Sequence, residues 1–485
     1  MPELPMENTS SEFDVIVMGG GPAGSTVASI LAREGRRVVV FEKEQFPRHH
    51  IGESLMTDTY RTFERMGFLD KLKQSPFVRK YSVQFANSKG KESRPFYFFE
   101  ANHHESAVTW QVTRAIFDQM LIEHAEEQGA AVYQRTTVKR VLFEAKRATG
   151  VEALMEDGSL RLFHAPVVVD ATGQRAMLSN QFGWRVRDPK LKKAVLYSYF
   201  KGAHREPDLN GGATLVLRTE LGSGGWFWYI PLEDDITSVG VVADPDYLVK
   251  GRGQDLAKIL DEEIEKCEPC RRRVAGATRV DKIYSILDYS YRSKQNAGDG
   301  FILIGDAYGF LDPIYSSGVL LALKMAELAA DAIHDAFNHN DFSAERLGQF
   351  QGKLDGGIES MRKLVHAFYS EGFSFSKFLQ KYPEQRVNII NLLIGDVFKE
   401  NVDDIYGPMS EFAEIPPPLY EEVTGPASNG GAKVADVAKV ADVAKVADVA
   451  KVADVAKVAK DSGEILMAKY SFYDDRARVP ESPEP

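Results

Sequence analysis

The residues with the most specific chemical pattern are three glycines near the start of the chain, Gly19, Gly21 and Gly24. They follow the apolar run 13–18 and overlap the start of a helical segment that contains Ala23. Glycines at this spacing allow a tight turn, the close approach of a pyrophosphate and the packing of helix on strand, while the helix N-terminus offers free amides. The spacing therefore predicts a dinucleotide site.

Glu42 supports this interpretation. It ends a second apolar run, 38–41, and lies about 20 residues after the glycines, where a carboxylate can accept hydrogen bonds from a ribose. These residues alone leave NAD and FAD open as the cofactor.

Two further predicted strands end in residues suited to the same ligand. The strand 162–170 ends at Asp170 and leads into a glycine turn, and the strand 301–304 runs into Gly305-Asp306-Ala307. Because ligands of open α/β sheets bind at the carboxyl ends of the strands, we expect these ends to meet one nucleotide.

An aromatic string, Gly225-Trp226-Phe227-Trp228-Tyr229-Ile230-Pro231, is the next unusual feature. In a strand Trp226, Trp228 and Ile230 share one face and make a rigid wall of large side chains. Earlier in the chain, 80–85 alternates polar and apolar residues, which predicts that Lys80, Ser82 and Gln84 share a strand face.

The composition indicates a globular protein: 44% of the 485 residues are hydrophobic, enough for two or three domains. The formal net charge of -11 argues against a nucleic-acid partner. The sequence shows no signal peptide and no apolar run that could span a bilayer. We therefore expect a cytoplasmic protein without a membrane span.

The two cysteines, Cys267 and Cys270, form a single C-x-x-C. Without a second pair they cannot complete a zinc site, and they follow a charged helical segment rather than a strand. We interpret them as surface thiols and predict no metal site.

Helix signals and changes in composition divide the chain into segments. Serines 316 and 317 can cap a long amphipathic helix, 319–338. After about residue 409 prolines accumulate. From Lys433 the unit Lys-Val-Ala-Asp-Val-Ala repeats, with a valine at every third residue. Because an α-helix has 3.6 residues per turn, these valines would move around the helix axis and form no stable apolar stripe. The predicted segments are a disordered leader (1–12), a discontinuous cofactor domain (13–80, 108–190 and 280–345), an interleaved β-sheet substrate domain (80–107 and 190–280), a helical region (346–413) and a disordered linker, repeat and tail (414–485).

The three strand ends resemble the flavoprotein monooxygenase class, which includes aromatic hydroxylases, geranylgeranyl reductases and flavin-dependent halogenases. The resemblance implies an α/β fold: a Rossmann-like FAD-binding domain of the aromatic-hydroxylase (GR2) type, a mixed β-sheet substrate domain and C-terminal helices. Asp306 matches the aspartate that contacts the ribityl-pyrophosphate part of FAD in that class, and Arg114 matches the arginine of its R-x-x-F-D segment. FAD is therefore the expected cofactor.

Within this class the chain is similar to the flavin-dependent halogenases from about residue 12 to residue 409. The string 225–231 contains their W-x-W-x-I-P signature in full, including Pro231. The loop 47–54 looks like the family's loop ahead of its first substrate-side helix, and it contributes Arg48 and Ile51 to the expected cofactor site.

The segment 310–318 fits the family's F-x-x-P-x-x-S-x-G pattern, which lies along the flavin and holds a halide. The resemblance implies that backbone amides of Ser317 and Gly318 bind this ion. Lys80 falls where the family has its essential lysine.

This resemblance also implies a mechanism. Reduced FAD and O2 form a C4a-hydroperoxide that oxidises chloride or bromide to hypohalous acid. Lys80, as the catalytic residue, hydrogen-bonds this acid or becomes a haloamine, and so directs the halogen onto an electron-rich ring, which is a phenol, a pyrrole or an indole. The role requires Lys80 to be buried or half-buried. A separate flavin reductase supplies the reduced FAD.

The expected substrate class follows from one difference between this sequence and the tryptophan halogenases. Tryptophan halogenases carry a glutamate two residues after the proline of the halide segment, and here that residue is Tyr315. We therefore favour a phenol or pyrrole over free tryptophan, with the substrate either free or tethered to a carrier protein.

Three alternatives remain at this point. An aromatic hydroxylase would use the same oxidant to transfer oxygen and would reduce its own flavin with NADPH, but it has no need of the wall at Trp226 and Trp228. A geranylgeranyl-type reductase would leave Lys80 and the halide segment without a use. A non-catalytic flavoprotein scaffold would act through the repeat.

Overall fold

The computed structural model describes residues 13–287, 290–399 and 401–420. The predicted leader and the Lys-Val-Ala-Asp-Val-Ala repeat lie outside these residues. Among the described residues, no helix combines the length and apolar character needed to cross a bilayer. The same residues contain no cluster of three or more His, Cys, Asp or Glu side chains placed to hold a metal ion.

A six-stranded sheet, called the parallel sheet below, is built around the first strand. Its strands are parallel except at one edge, where Ala297–Gly298 runs antiparallel. The strands, in spatial order, are Ala297–Gly298, Phe301–Leu303, Val167–Asp170, Val15–Met18, Val38–Phe41 and Ala131–Tyr133. Because the valine-rich runs are buried on both faces, they read in the sequence as continuous apolar segments.

A larger mixed sheet, called the wall sheet, contains the aromatic string. Its strands, in spatial order, are Thr278–Arg279, Ala194–Lys201, Ile236–Ala243, Gly225–Pro231, Thr214–Arg218, Ser82–Ala86 and Phe96–Tyr97, with Tyr284–Leu287 also paired to Ala194–Lys201. Alternate residues of its strands face two separate apolar cores. Trp226 and Trp228 belong to the larger core, whereas Phe227 and Tyr229 belong to the smaller one.

Three small sheets complete the strands. They are a meander of Thr137–Glu144, Arg147–Leu154 and Leu160–His164; a sheet of Arg185–Arg187, Tyr291–Ser293 and Gly309–Phe310; and a pair of Val78–Lys80 and Thr109–Gln111. The α-helices are Pro22–Arg33, Thr59–Arg65, Leu69–Gln74, Arg114–Glu127, Met177–Gln181, Pro245–Leu248, Leu256–Lys266, Glu268–Val274, Ser317–His339, Ala344–Leu347, Gln351–Tyr369, Phe375–Lys381, Arg386–Ile394 and Tyr406–Met409.

Several predicted elements are interrupted in the structure. The predicted strand 162–170 is two strands, because the chain leaves the meander at His164 and enters the parallel sheet at Val167. The predicted strand 80–85 breaks at Tyr81, so Lys80 and Gln84 belong to different sheets and do not share a strand face.

The prediction of surface thiols is wrong. Cys267 and Cys270 are fully buried and unpaired. Helices Leu256–Lys266 and Glu268–Val274 supply residues to the smaller core, and both cysteines lie in that core. A thiol behaves there as a small apolar side chain, and burial raises the pKa of both.

The predicted start of the disordered linker, residue 414, is also wrong. Leu419 is buried, and the Tyr420 hydroxyl donates to the Ser293 carbonyl. The Arg362 guanidinium donates to the Pro417 carbonyl at 2.7 Å. The packed part of the chain therefore extends at least to Tyr420.

Candidate active site

The glycine turn lies between the first strand and helix Pro22–Arg33. Gly19 has φ +106°, and a Cβ there would lie 2.3 Å from the Ala171 carbonyl oxygen. A Cβ at Gly24 would lie 1.9 Å from the Gly19 carbonyl oxygen. Only glycine fits either position, so the tight turn and the close packing of helix on strand are confirmed.

The turn opens onto a cavity of about 540 Å³. Gly19, Gly21 and Ala23 line it, while Gly24 lies behind them against the strand. The turn after Val167–Asp170 and the turn after Phe301–Leu303 line the same cavity, through Ala171–Arg175 and Gly305–Asp306. The three strand ends therefore meet as expected. Asp170 itself is turned away from the cavity and accepts from the amides of Thr172 and Leu178.

Glu42 lines the cavity with its carboxylate held by two backbone amides. The Gly20 amide donates to one oxygen at 2.8 Å and the Glu44 amide to the other at 2.9 Å. A carboxylate fixed at this edge of the sheet suits the ribose hydroxyls of a dinucleotide. The open surface of the glycine turn and this carboxylate fit FAD.

A buried charge network borders the cavity. Arg114 donates to both carboxylate oxygens of Asp118, at 2.7 and 2.9 Å, and to the Ile51 carbonyl. Arg48 reaches Asp118 at 3.4 Å. Burial opposes the charge of Arg114, but Asp118 keeps the arginine pKa above its usual value. The predicted cofactor residues Arg48, Ile51 and Arg114 thus lie together, with Arg114 also holding the loop.

Asp306 lines the cavity near this network. Burial raises the pKa of its carboxyl group to about 6, and the charge of Arg114 opposes the rise. Its position at the end of the strand Phe301–Leu303 leaves the carboxyl group at the ligand side of the parallel sheet.

The structure places three of the four predicted wall residues at the cavity. Trp226, Trp228 and Ile230 line the cavity from the strand Gly225–Pro231, whereas Pro231 ends the strand and does not line it. The Trp228 indole nitrogen donates to Ser238 at 3.1 Å and the Trp226 nitrogen to Tyr369 at 2.8 Å. These bonds fix both rings in orientation.

The predicted halide segment also borders the cavity. Gly318 lines it, whereas the buried Ser317 does not. Both lie at the start of helix Ser317–His339, after Ser316 in the left-handed region at φ +60°. The predicted serine cap is wrong, because no side-chain hydrogen bond caps this helix start.

Lys80 is buried, as its predicted role requires, with 3% of its surface exposed. Its side-chain nitrogen lies 2.8 Å from the Ser54 hydroxyl and 3.0 Å from the Leu55 carbonyl. Lys80 does not line the cavity, but Ser54 and its hydrogen-bond partner Thr214 do. Burial lowers the pKa of Lys80 to about 7. The lysine is thus one hydroxyl group away from the cavity.

Sequence reasoning gave no role to Glu53 and missed the aromatic group near it. Burial raises the pKa of Glu53 to about 7, opposed by hydrogen bonds from Tyr199 and Ser238. His49 lies 3.0 Å from the Tyr197 hydroxyl and stacks on Tyr284 at 4.0 Å between ring centroids. The alternation of Tyr197 and Tyr199 in a predicted strand is the signal that would have found this group.

Comparisons with known proteins agree with this geometry. The family model for FAD dependent oxidoreductase matches residues 14–183, and the model for Tryptophan halogenase matches residues 99–374. A 1H-pyrrole-2-carbonyl-[peptidyl-carrier protein] chlorinase of Pseudomonas fluorescens is 32% identical over 82% of this chain and 93% of its own length. The corresponding brominase of Pseudoalteromonas luteoviolacea is 32% identical over 80% of this chain and 92% of its own.

Solved structures give the same result. The myxobacterial chondrochloren halogenase has a TM-score of 0.70 at 32% identity, covering 82% of this chain and 95% of that one. A flavin-dependent brominase has a TM-score of 0.74 at 29% identity, covering 83% and 98%.

The fold and the cavity define an FAD-dependent oxidoreductase. The chain belongs to the tryptophan halogenase family, and it is a flavin-dependent halogenase. This result decides against the hydroxylase, the isoprenoid reductase and the non-catalytic scaffold.

Proposed function

We propose that this halogenase chlorinates or brominates a pyrrole or phenol ring tethered to a carrier protein, and that Lys80 delivers the halogen. The observation that carries the proposal is the buried side-chain nitrogen of Lys80, 2.8 Å from a hydroxyl group that lines the cavity. Bound and reduced, FAD supplies the chemistry that converts O2 and a halide into hypohalous acid.

Different residues around the cavity bind the cofactor and the halide. The glycine turn, Glu42, Arg48, Arg114 and Asp306 hold the cofactor in the parallel-sheet domain. The amides at the start of helix Ser317–His339 bind the halide, since a helix N-terminus carries partial positive charge.

Trp226 and Trp228 keep an organic ring from the cofactor, because they are large, buried and fixed by hydrogen bonds. A small acid can still reach Ser54, the hydrogen-bond partner of Lys80, through the cavity. The wall sheet is then the substrate domain, as the sequence predicts.

Two observations support the substrate class. The pyrrole-carrier chlorinase and brominase each match about four-fifths of this chain. Tyr315 is buried and its hydroxyl reaches the Leu364 carbonyl at 3.4 Å, so the position presents no carboxylate. The proposal also includes a cytoplasmic location and a separate flavin reductase. The reductase is supported by the single glycine fingerprint of the sequence.

The test is mass spectrometry of products with FAD, a flavin reductase, NADH, O2 and bromide. The substrates are pyrrole-2-carbonyl and a hydroxybenzoyl group, each both free and as a carrier-protein thioester, with indole as a comparison. We expect bromine's isotope doublet on a carrier-bound ring, and a loss of about 100-fold or more in Lys80→Ala.

Lys80→Ala should still bind FAD, because Lys80 does not line the cavity. Lys89→Ala, an exposed lysine on a turn, is the matched control and should keep full activity. Undiminished bromination by Lys80→Ala would overturn the role of Lys80. Bromination of free rings only, or of indole only, would overturn the proposal that the substrate is a carrier-tethered pyrrole or phenol.

A further inference from the structure

Gln111 lies close to Lys80 and has an amide whose orientation is set by its partners. Its side-chain nitrogen donates to the Gly212 carbonyl at 2.9 Å and to the Thr214 hydroxyl at 2.9 Å. Because a carbonyl oxygen can only accept, the nitrogen and not the oxygen of Gln111 must face Gly212. A Cβ at Gly212 would lie 1.9 Å from the Arg79 carbonyl, so glycine permits the close approach that supplies this acceptor.

Two hydroxyl groups connect this amide to the lysine. The Thr214 hydroxyl lies 2.8 Å from the Ser54 hydroxyl, which lies 2.8 Å from Nζ of Lys80. All four side chains are at least nine-tenths buried. Since Thr214 accepts from Gln111, its own proton is available to Ser54, and the proton of Ser54 is then available to Lys80.

The two protonation states of Lys80 differ in how well they fit this chain of bonds. A neutral amine accepts from Ser54 and donates to the Leu55 carbonyl, 3.0 Å away, so every hydroxyl proton has a partner. An ammonium group must donate to Ser54. One hydroxyl proton of Ser54 or Thr214 then lacks an acceptor among the described residues and must turn toward the cavity, which is less favourable than a chain in which every proton is bonded.

We propose that Gln111, Thr214 and Ser54 form a directed hydrogen-bond relay that holds Lys80 as a neutral amine. The three are positioning residues for the lysine. The proposal rests on the proposed function, because the amine lone pair that Ser54 holds can be released to the halogen of hypohalous acid. The N–halogen bond then forms, the O–halogen bond breaks, and the hydroxide and one amine proton leave as water.

The charged and titratable neighbours of Lys80 are engaged elsewhere. Glu53, on the segment opposite, lies beside Tyr199 and Ser238, and burial raises its pKa and so favours its uncharged form. On its own segment, Arg79 donates to the Lys73 carbonyl, and Tyr81 follows it at the break between the two strands. Among the described residues, no carboxylate pairs with the ammonium group that would offset its burial. Burial then favours the neutral form.

The test is the pKa of Lys80 in the full-length protein with oxidised FAD bound. Side-chain resonances of ¹³C-labelled lysines are titrated by NMR, and Lys80→Ala identifies the resonance. We expect Lys80 to titrate at least two pH units below the ordinary lysine value of about 10.4.

Gln111→Glu reverses the relay. A carboxylate accepts from Thr214, so Thr214 accepts from Ser54 and Ser54 from an ammonium group. We expect the pKa of Lys80 to rise by about one unit or more, from about 7, which means at least about fivefold less neutral amine at pH 7. The acidic limb of the pH–kcat profile should move to higher pH by the same amount.

Gln134→Glu is the matched control, because Gln134 uses only its side-chain oxygen, as acceptor of the Phe46 amide. It should leave the pKa of Lys80 unchanged. A wild-type Lys80 that titrates within one unit of free lysine would overturn the proposal, and this measurement needs no variant of Gln111, Thr214 or Ser54. An unchanged pKa in folded Gln111→Glu would overturn it as well. Product formation by Lys80→Ala would instead reject the proposed function, whatever the pKa.

Discussion

At the scale of single residues, the site contains two buried ionisable groups, and burial shifts their pKa values in opposite directions. The pKa of Glu53 rises and the pKa of Lys80 falls, both to about 7. Each shift favours the uncharged form, as expected where a charge would lose its hydration. Both groups therefore change charge near neutral pH.

The raised pKa of Glu53 has a consequence for stability. The folded protein keeps a proton on Glu53 that the unfolded chain releases above pH 4.5. The stabilisation is therefore fully present below that pH and is lost as the pH rises through about 7. Glu53→Gln should remove this pH-dependent part of the free energy of unfolding, which is about 3 kcal/mol. Between pH 5 and 8 the free energy of unfolding of the variant should therefore fall less than that of the wild type.

Denaturant unfolding at several pH values, without added FAD, measures this difference. Glu123→Gln, the same change at an exposed position, should follow the wild type. Identical pH dependence in Glu53→Gln and the wild type would show that the carboxyl group is charged in the folded protein.

At the scale of elements, the wall depends on how its strand pairs with the next. Trp228 lies opposite Gly240, and a Cβ on Gly240 would lie 2.3 Å from the indole ring. The ring of Trp228 occupies the space that any other residue at 240 would fill. The position of the wall is thus set by a glycine on the neighbouring strand.

Gly240→Ala should therefore displace the Trp228 ring without altering a residue of the cavity. We expect overpacking to cost about 1–3 kcal/mol of stability, and the yield of halogenated product per O2 consumed to fall by about tenfold or more. Oxygen consumption and product are measured together by electrode and mass spectrometry.

Val241→Ala serves as the control, because Val241 faces the smaller core on the other side of the sheet. It should lower stability but leave the product yield per O2 unchanged. An unchanged yield in Gly240→Ala would mean that the position of the indole does not limit the reaction.

At the scale of the whole molecule, the described chain ends in contacts that join its last residues to the core. The Arg292 guanidinium donates to the Tyr420 hydroxyl at 3.1 Å, and Leu419 is buried. Leu419 and Tyr420 lie beyond the region matched by the tryptophan halogenase family model, which ends at residue 374. The final described residues thus contribute to stability rather than to the reacting groups.

Two truncations separate these contributions. A chain that ends at Val423 should keep FAD binding and product formation, because it retains Leu419 and Tyr420. A chain that ends at Glu414 loses both and should melt a few degrees lower, since burying a leucine is worth about 1.5–3 kcal/mol. Thermal unfolding and the bromination assay measure the two effects. Loss of activity on ending at Val423 would assign the repeat a part in catalysis.

The sequence by itself determined the local patterns. A tight turn needs glycine wherever a side chain would collide, and a strand alternates its faces, so the glycine turn, Glu42 and the tryptophan wall are visible without coordinates. The helix Ser317–His339 follows equally from its apolar period.

The tertiary structure decided what depends on contacts between distant segments. The burial of Cys267 and Cys270 needs two helices packed on the wall sheet, and the break at Tyr81 follows from strands that pair with different sheets. Lys80, Ser54, Gln111 and Thr214 come from four segments that are far apart in the sequence, and no helix or strand periodicity relates them. Burial and hydrogen-bond direction set the protonation of a lysine, and both are properties of the packed chain, so its sequence neighbours cannot reveal them.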